Sequence, residues 1–123
     1  MEWTITINEE PQYLEVITGG IADKTGSLSM VKEIIATMGD SKLKKLLINH
    51  ENICSVSGDM VDVYSRPKEF QEMGVAHEVR VAEVVKPEHK SFFQFLELVC
   101  VNRGFEFSIF DDKESALDWL LDK

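Results

Sequence analysis

The sequence predicts an α/β fold with a mixed five-stranded sheet and about four helices, in the order ββαβαβαβα. Three observations carry this. Short β-branched runs alternate with stretches whose apolar residues recur at helical spacing, as in parallel strands joined by right-handed crossovers. The first two strand-like runs are separated by a tight turn alone, so they pair antiparallel and make the sheet mixed. The 123 residues contain no internal repeat and no linker, which fits one domain over 1–123.

Trp3-Thr4-Ile5-Thr6-Ile7 alternates apolar and polar residues, the period of a half-buried strand. Turn chemistry at Asn8–Pro11 leads to a second strand at Tyr13–Thr18, which Gly19-Gly20 is expected to end. Leu28, Val31, Ile34, Ile35 and Met38 then mark a helix, with Thr25 or Ser27 as its cap and Gly39 at its close. The apolar run in Lys44–Asn49 reads as a central buried strand and His50–Gly58 as the loop after it. The next helix is expected to start near Ser57, bury Met60, Val61, Val63 and Tyr64, and break at Pro67. Val79–Val85 reads as a strand, and Pro87 opens a helix with the stripe Phe92, Phe93, Leu96, Val99, Cys100. Phe105–Phe110 alternates as a strand, and Asp111 with Glu114 has capping-box spacing before a last helix carrying Ala116, Leu117, Leu120 and Leu121.

The formal net charge is -9 and the only basic cluster is Lys42, Lys44, Lys45. That composition disfavours nucleic acid, whose phosphates are bound by Lys and Arg, and it disfavours anionic membrane surfaces. No stretch approaches the ~20 apolar residues of a membrane span and no secretory segment is visible, so a cytoplasmic protein is expected. Cys54 and Cys100 are isolated and form no CxxC, which points to buried free thiols. His50, His77 and His89 share no HxH or HExxH spacing, so neither a metal nor another cofactor is expected.

In open α/β sheets, ligands meet the loops at the carboxyl ends of the strands. Here these are Gly20–Ser27, His50–Gly58, Lys86–Glu88 and Asp111 with Asp112, the second being richest in chemistry. Its candidate site comprises His50, Ser55, Ser57, Gly58 and Asp59, with Tyr64 and Arg66 one helical turn further on. His50 is a general base only if a nucleophile such as Ser55, Ser57 or Cys54 comes within reach. Ser57 is the expected helix cap and Asp59 suits the positive helix end. Arg66 can pair with a ligand carboxylate or phosphate, or with Asp62 or Glu69. Of Phe92, Phe93 and Phe95, Phe95 is the candidate for an apolar groove or interface.

The whole chain in element order, and KKLLINHENICSVSGDMVDVYSRPKEF in particular, resembles the STAS superfamily with its SpoIIAA-like fold, and within it a branch labelled STAS/SEC14 domain-containing. The resemblance implies a regulatory module. In anti-sigma factor antagonists an Asp-Ser-Ser-Gly segment starts this helix, and its first serine is phosphorylated. Ser55-Val56-Ser57-Gly58 stands there in this chain, so Val56 occupies the phosphoacceptor position and supplies no hydroxyl. The expected function is therefore a non-catalytic regulatory or protein-interaction domain, with a protein partner or a homodimer. The alternatives are a SEC14-like binder of a lipid or small apolar ligand, though so small a domain is expected to have little core to spare, and, third, a small hydrolase built on His50.

Overall fold

The computed structural model describes residues 1–75 and 78–122, Met60 by its backbone alone. His77 and the side chain of Met60 therefore lie outside the described residues. The elements run β1 (Glu2–Glu9), β2 (Gln12–Ala22), α1 (Lys24–Ser41), β3 (Lys45–Val56), α2 (Met60–Met73), β4 (Arg80–Val84), a 3-10 turn at Pro87–His89, α3 (Lys90–Asn102), β5 (Glu106–Phe110) and α4 (Lys113–Leu121). The expected order ββαβαβαβα is the observed one. The sheet has five strands in the order β1-β2-β3-β4-β5. β1 pairs antiparallel with β2, and every other neighbour is parallel.

The period-2 pattern of the strands sorts the core into two layers. Leu14 and Val16 of β2, Leu46 and Ile48 of β3, Val81 of β4 and Phe107 of β5 share one face, which carries α1, α2 and α3. Tyr13, Leu47, Ala82 and Val84 point the other way, against Ala116 and Leu120 of α4. Leu14, Leu47 and Leu120 are fully out of solvent, and such burial stabilises by roughly 1.5–3 kcal/mol per side chain. α4 is further held by the Arg80 guanidinium, 4.1 Å from the Trp119 ring centroid.

Several local boundaries differ from the pattern-based expectation, each for a visible reason. β2 does not stop at Gly19-Gly20; it continues to Ala22 because β3 pairs with it to Val56. Gly20 sits at φ 80, the left-handed region that favours glycine, so its presence there is conformational and not terminating. α1 runs past Gly39 and is closed by Lys42, which takes φ 62 and donates its N–H to Met38 O at 2.7 Å. Its N-cap is Asp23, which accepts from Gly26 N at 2.6 Å, rather than Thr25 or Ser27. α4 is capped by Asp112, one residue after the expected Asp111, through Ser115 N at 2.7 Å. α2 passes through Pro67 without a break. Proline forfeits one helical hydrogen bond there, but Pro67 is fully buried and its packing opposes that loss. Val63 faces the core as expected, whereas Val61 (76% exposed) and Tyr64 (69% exposed) are on the outer side of α2.

Candidate functional site

The segment expected to be a loop from His50 to Gly58 is mostly strand. β3 is twelve residues long and is interrupted by two register shifts against β2, opposite Ile17/Gly19 and Gly20/Ile21. Ile17 pairs with Asn49 and Gly19 with Asn52, so β3 carries an extra residue in that interval. A bulge of this kind re-aims the side chains that follow it. His50 and Ile53 are both buried, although strict alternation would put them on opposite faces. Ser57 N donates to Ala22 O, and α2 is capped by Asp59, which accepts from Asp62 N at 2.8 Å. Ser57 is thus not the cap. Gly58 lies at φ 132, and a Cβ there would come 2.8 Å from Asp62 Oδ2.

His50 is the centre of a buried polar chain. Its Nδ1 is 2.7 Å from Thr18 Oγ1 and its Nε2 is 3.1 Å from Glu83 Oε1, while its ring stacks on Phe93 with centroids 4.6 Å apart. The Thr18 hydroxyl has one proton and two acceptors in reach, His50 Nδ1 and the Asn49 carbonyl at 3.2 Å. In either arrangement the imidazole bridges a hydroxyl and a carboxylate, and both ring nitrogens are engaged. Ser55, Ser57 and Cys54 are exposed, so the residues grouped with His50 on the chain face solvent while His50 faces the interior. The hydrogen bonds of His50 run across the sheet to β2 and β4, and none runs to the serines named with it.

Above this chain lies a cavity of about 510 Å³ between the sheet and α1, α2 and α3. Met30, Ile34 and Met38 of α1, Phe70 of α2, and Phe92, Phe93 and Leu96 of α3 supply its apolar walls. Leu46, Ile48, Val81 and Phe107 form its floor. Among its polar lining are His50, Glu83 and Arg66. The expectation of little spare core space is therefore corrected: the layer under three helices encloses a volume within the ~300–1,000 Å³ of small-molecule sites. Of the three phenylalanines, Phe92 and Phe93 line it; Phe95 is half-buried against the same core and is not part of the lining.

Arg66, only 3% exposed, reaches Asp62 Oδ2 at 3.4 Å, and Lys24 ties α1 to the same helix through Asp62 (3.7 Å) and Glu69 (3.2 Å). Cys100 also lines the cavity. Burial pushes its thiol far up, Glu83 adds to that rise and Arg66 opposes it. Cys54 is exposed, contrary to the expected buried thiol. In the native protein a thiol reagent at neutral pH is expected to label Cys54 readily and to spare Cys100 until the chain is unfolded, as counted by intact mass. Equal native labelling of both would contradict the burial of Cys100. Among the described residues no cluster of His, Cys, Asp and Glu could hold a metal ion, and no helix is long and apolar enough to cross a membrane.

An uncharacterised protein of the DUF3478 family from Shewanella loihica, described as having a SpoIIAA-like fold, is similar to this chain with a TM-score of 0.61 and 21% identity, over 96% of this chain and 93% of that one. The chain has the SpoIIAA-like fold. The anti-sigma factor antagonist SpoIIAA in its unphosphorylated form is also similar, with a TM-score of 0.55, 15% identity and 98% of each chain covered. No protein-family model and no curated protein matches the sequence. Within the SpoIIAA-like fold of this chain, Val56 ends β3 half-buried against the core, with the exposed Ser55 and Ser57 on either side. Asp59 and Asp62 already present carboxylates at the start of α2, which opposes the charge a phosphate would bring.

No simple sequence signal would have brought Thr18, His50 and Glu83 together, since they stand 32 and 33 residues apart on three strands. The one available hint was a charged Glu83 inside the apolar run Val79–Val85.

Proposed function

We propose that the domain is a non-catalytic binding module that takes a small, largely apolar ligand into the cavity between the sheet and the three helices. The cavity carries this reading: apolar walls from three helices and four strands, with a few polar groups among them, are the usual make-up of a small-molecule site. The test is to purify the protein without detergent, unfold it, extract with organic solvent, and identify released compounds by mass spectrometry. An apolar compound near one equivalent per chain is expected. No compound, together with no saturable binding of the neutral fluorophore N-phenyl-1-naphthylamine, would contradict the reading.

A second reading is favoured by the outer side of α2, where Val61 and Tyr64 are exposed at the helix that follows Ser55–Asp59. On this reading Ser55–Arg66 is a contact surface for a protein partner, or for a second copy of the chain, and the domain is regulatory. The similarity to an anti-sigma factor antagonist supports it. Light scattering on the wild type and on Val61→Ser/Tyr64→Ser separates the two occupants: a dimer that the double substitution dissociates supports a second copy, and an unaltered monomer leaves a different protein as the partner. Both readings suit a cytoplasmic protein.

A further inference from the structure

The cavity holds a cation that its protein neighbours compensate poorly. The Arg66 side chain is nine-tenths or more buried, and its Nε has no hydrogen-bond partner among the described residues. The carboxylate nearest to it, Asp62, meets only one of its nitrogens, at the long distance of 3.4 Å, and is shared with Lys24. A guanidinium presents five N–H donors in a planar fork and is best satisfied by the two oxygens of a carboxylate. Of the other ionisable groups at hand, Glu83 is engaged by His50 at 3.1 Å, and Glu69 gives Oε2 to Lys24 at 3.2 Å while its buried Oε1 has no hydrogen-bond partner among the described residues.

Resting on the cavity reading above, we infer that the ligand is an aliphatic carboxylic acid, its chain along the apolar walls and its carboxylate on Arg66. A neutral head would leave the buried charge under-compensated. A phosphate would bring nearly two negative charges, against one from a carboxylate, to a single guanidinium in a cavity whose lining already holds the buried Glu83. From Leu46 to His50 the floor of the cavity runs roughly 13 Å at the usual strand rise, which suits a chain of medium length.

The experiment is calorimetric titration of the full chain with dodecanoate and with dodecan-1-ol, on the wild type, Arg66→Met and Arg66→Lys. The wild type is expected to bind the acid at least about tenfold more tightly than the alcohol, the scale of a charge-assisted pair. Arg66→Met should lose that preference, and Arg66→Lys should keep part of it. Equal affinity for acid and alcohol in the wild type would overturn the inference and leave the cavity reading standing, as would equal weakening of both by Arg66→Met. Binding of neither compound would overturn the cavity reading itself. The acid-to-alcohol comparison in the wild type decides the matter even where a variant fails to fold.

Discussion

Leu96→Trp is expected to leave the protein folded and to weaken uptake of N-phenyl-1-naphthylamine by about tenfold or more. Leu96 is a buried residue of α3 that lines the cavity together with Phe93. An indole at this position fills space that a ligand would use. Overpacking a filled core costs about 1–3 kcal/mol, and here part of the added volume has somewhere to go. The loss should stay within the ~5–15 kcal/mol stability of a typical domain. Leu120→Ala is the matching control. Leu120 is a fully buried residue of α4, packed on the opposite face of the sheet, and its truncation should cost about 2–5 kcal/mol. Probe affinity of the folded fraction should not change. Fluorescence titration and urea unfolding of the two variants separate a blocked cavity from a merely weakened fold.

Glu83→Leu is expected to destabilise by about 1–3 kcal/mol, the usual consequence of leaving a buried polar group without its hydrogen-bond partner. Glu83 and His50 are 5% and 3% exposed, and Glu83 Oε1 lies 3.1 Å from Nε2 of the imidazole. Without the carboxylate, that nitrogen keeps its desolvation and loses its partner. His50→Leu should be costly in the mirror-image way, leaving both Glu83 and Thr18 short of a partner, and it also forfeits the stacking on Phe93. The double variant His50→Leu/Glu83→Leu should be less destabilised than the two single losses added together, because it removes the carboxylate and the imidazole at once. Urea unfolding of the four proteins in this cycle measures the coupling. Strict additivity would mean that the two side chains do not act as a pair.

The contrast between these two sites and the rest of the fold reflects what a linear pattern carries. Element order could be read from hydrophobic period, since Trp3–Ile7, the stripe from Phe92 to Cys100 and Phe105–Phe110 each show one clean period, and the mixed sheet from the tight turn at Asn8–Pro11. The stretch from His50 to Val56 could not, because two bulges in β3 disrupt its alternation and make strand look like loop. Val61 and Tyr64 were misplaced for a related reason: on a helix with a buried Arg66 and a buried Pro67, apolarity no longer marks the inner face. Arg66 and His50 were visible as candidates because charged and titratable residues stand out. Asp62, the partner of Arg66, is within reach of a local reading, but the partners of His50 are not, since Thr18 and Glu83 lie on other strands, and the cavity between the sheet and the three helices is a product of packing. A residue list cannot show where three helices leave space.

The most direct test is an NMR titration of methyl-labelled protein with dodecanoate. The expected result is saturable shifts at Ile34, Ile48, Leu46, Val81 and Leu96, which line the cavity, with Leu47, Val84 and Leu120 unmoved in the layer between the sheet and α4. Shifts confined to the exposed Val61, Leu98 and Val101, or spread evenly over both faces of the sheet, would contradict binding between the sheet and its three helices.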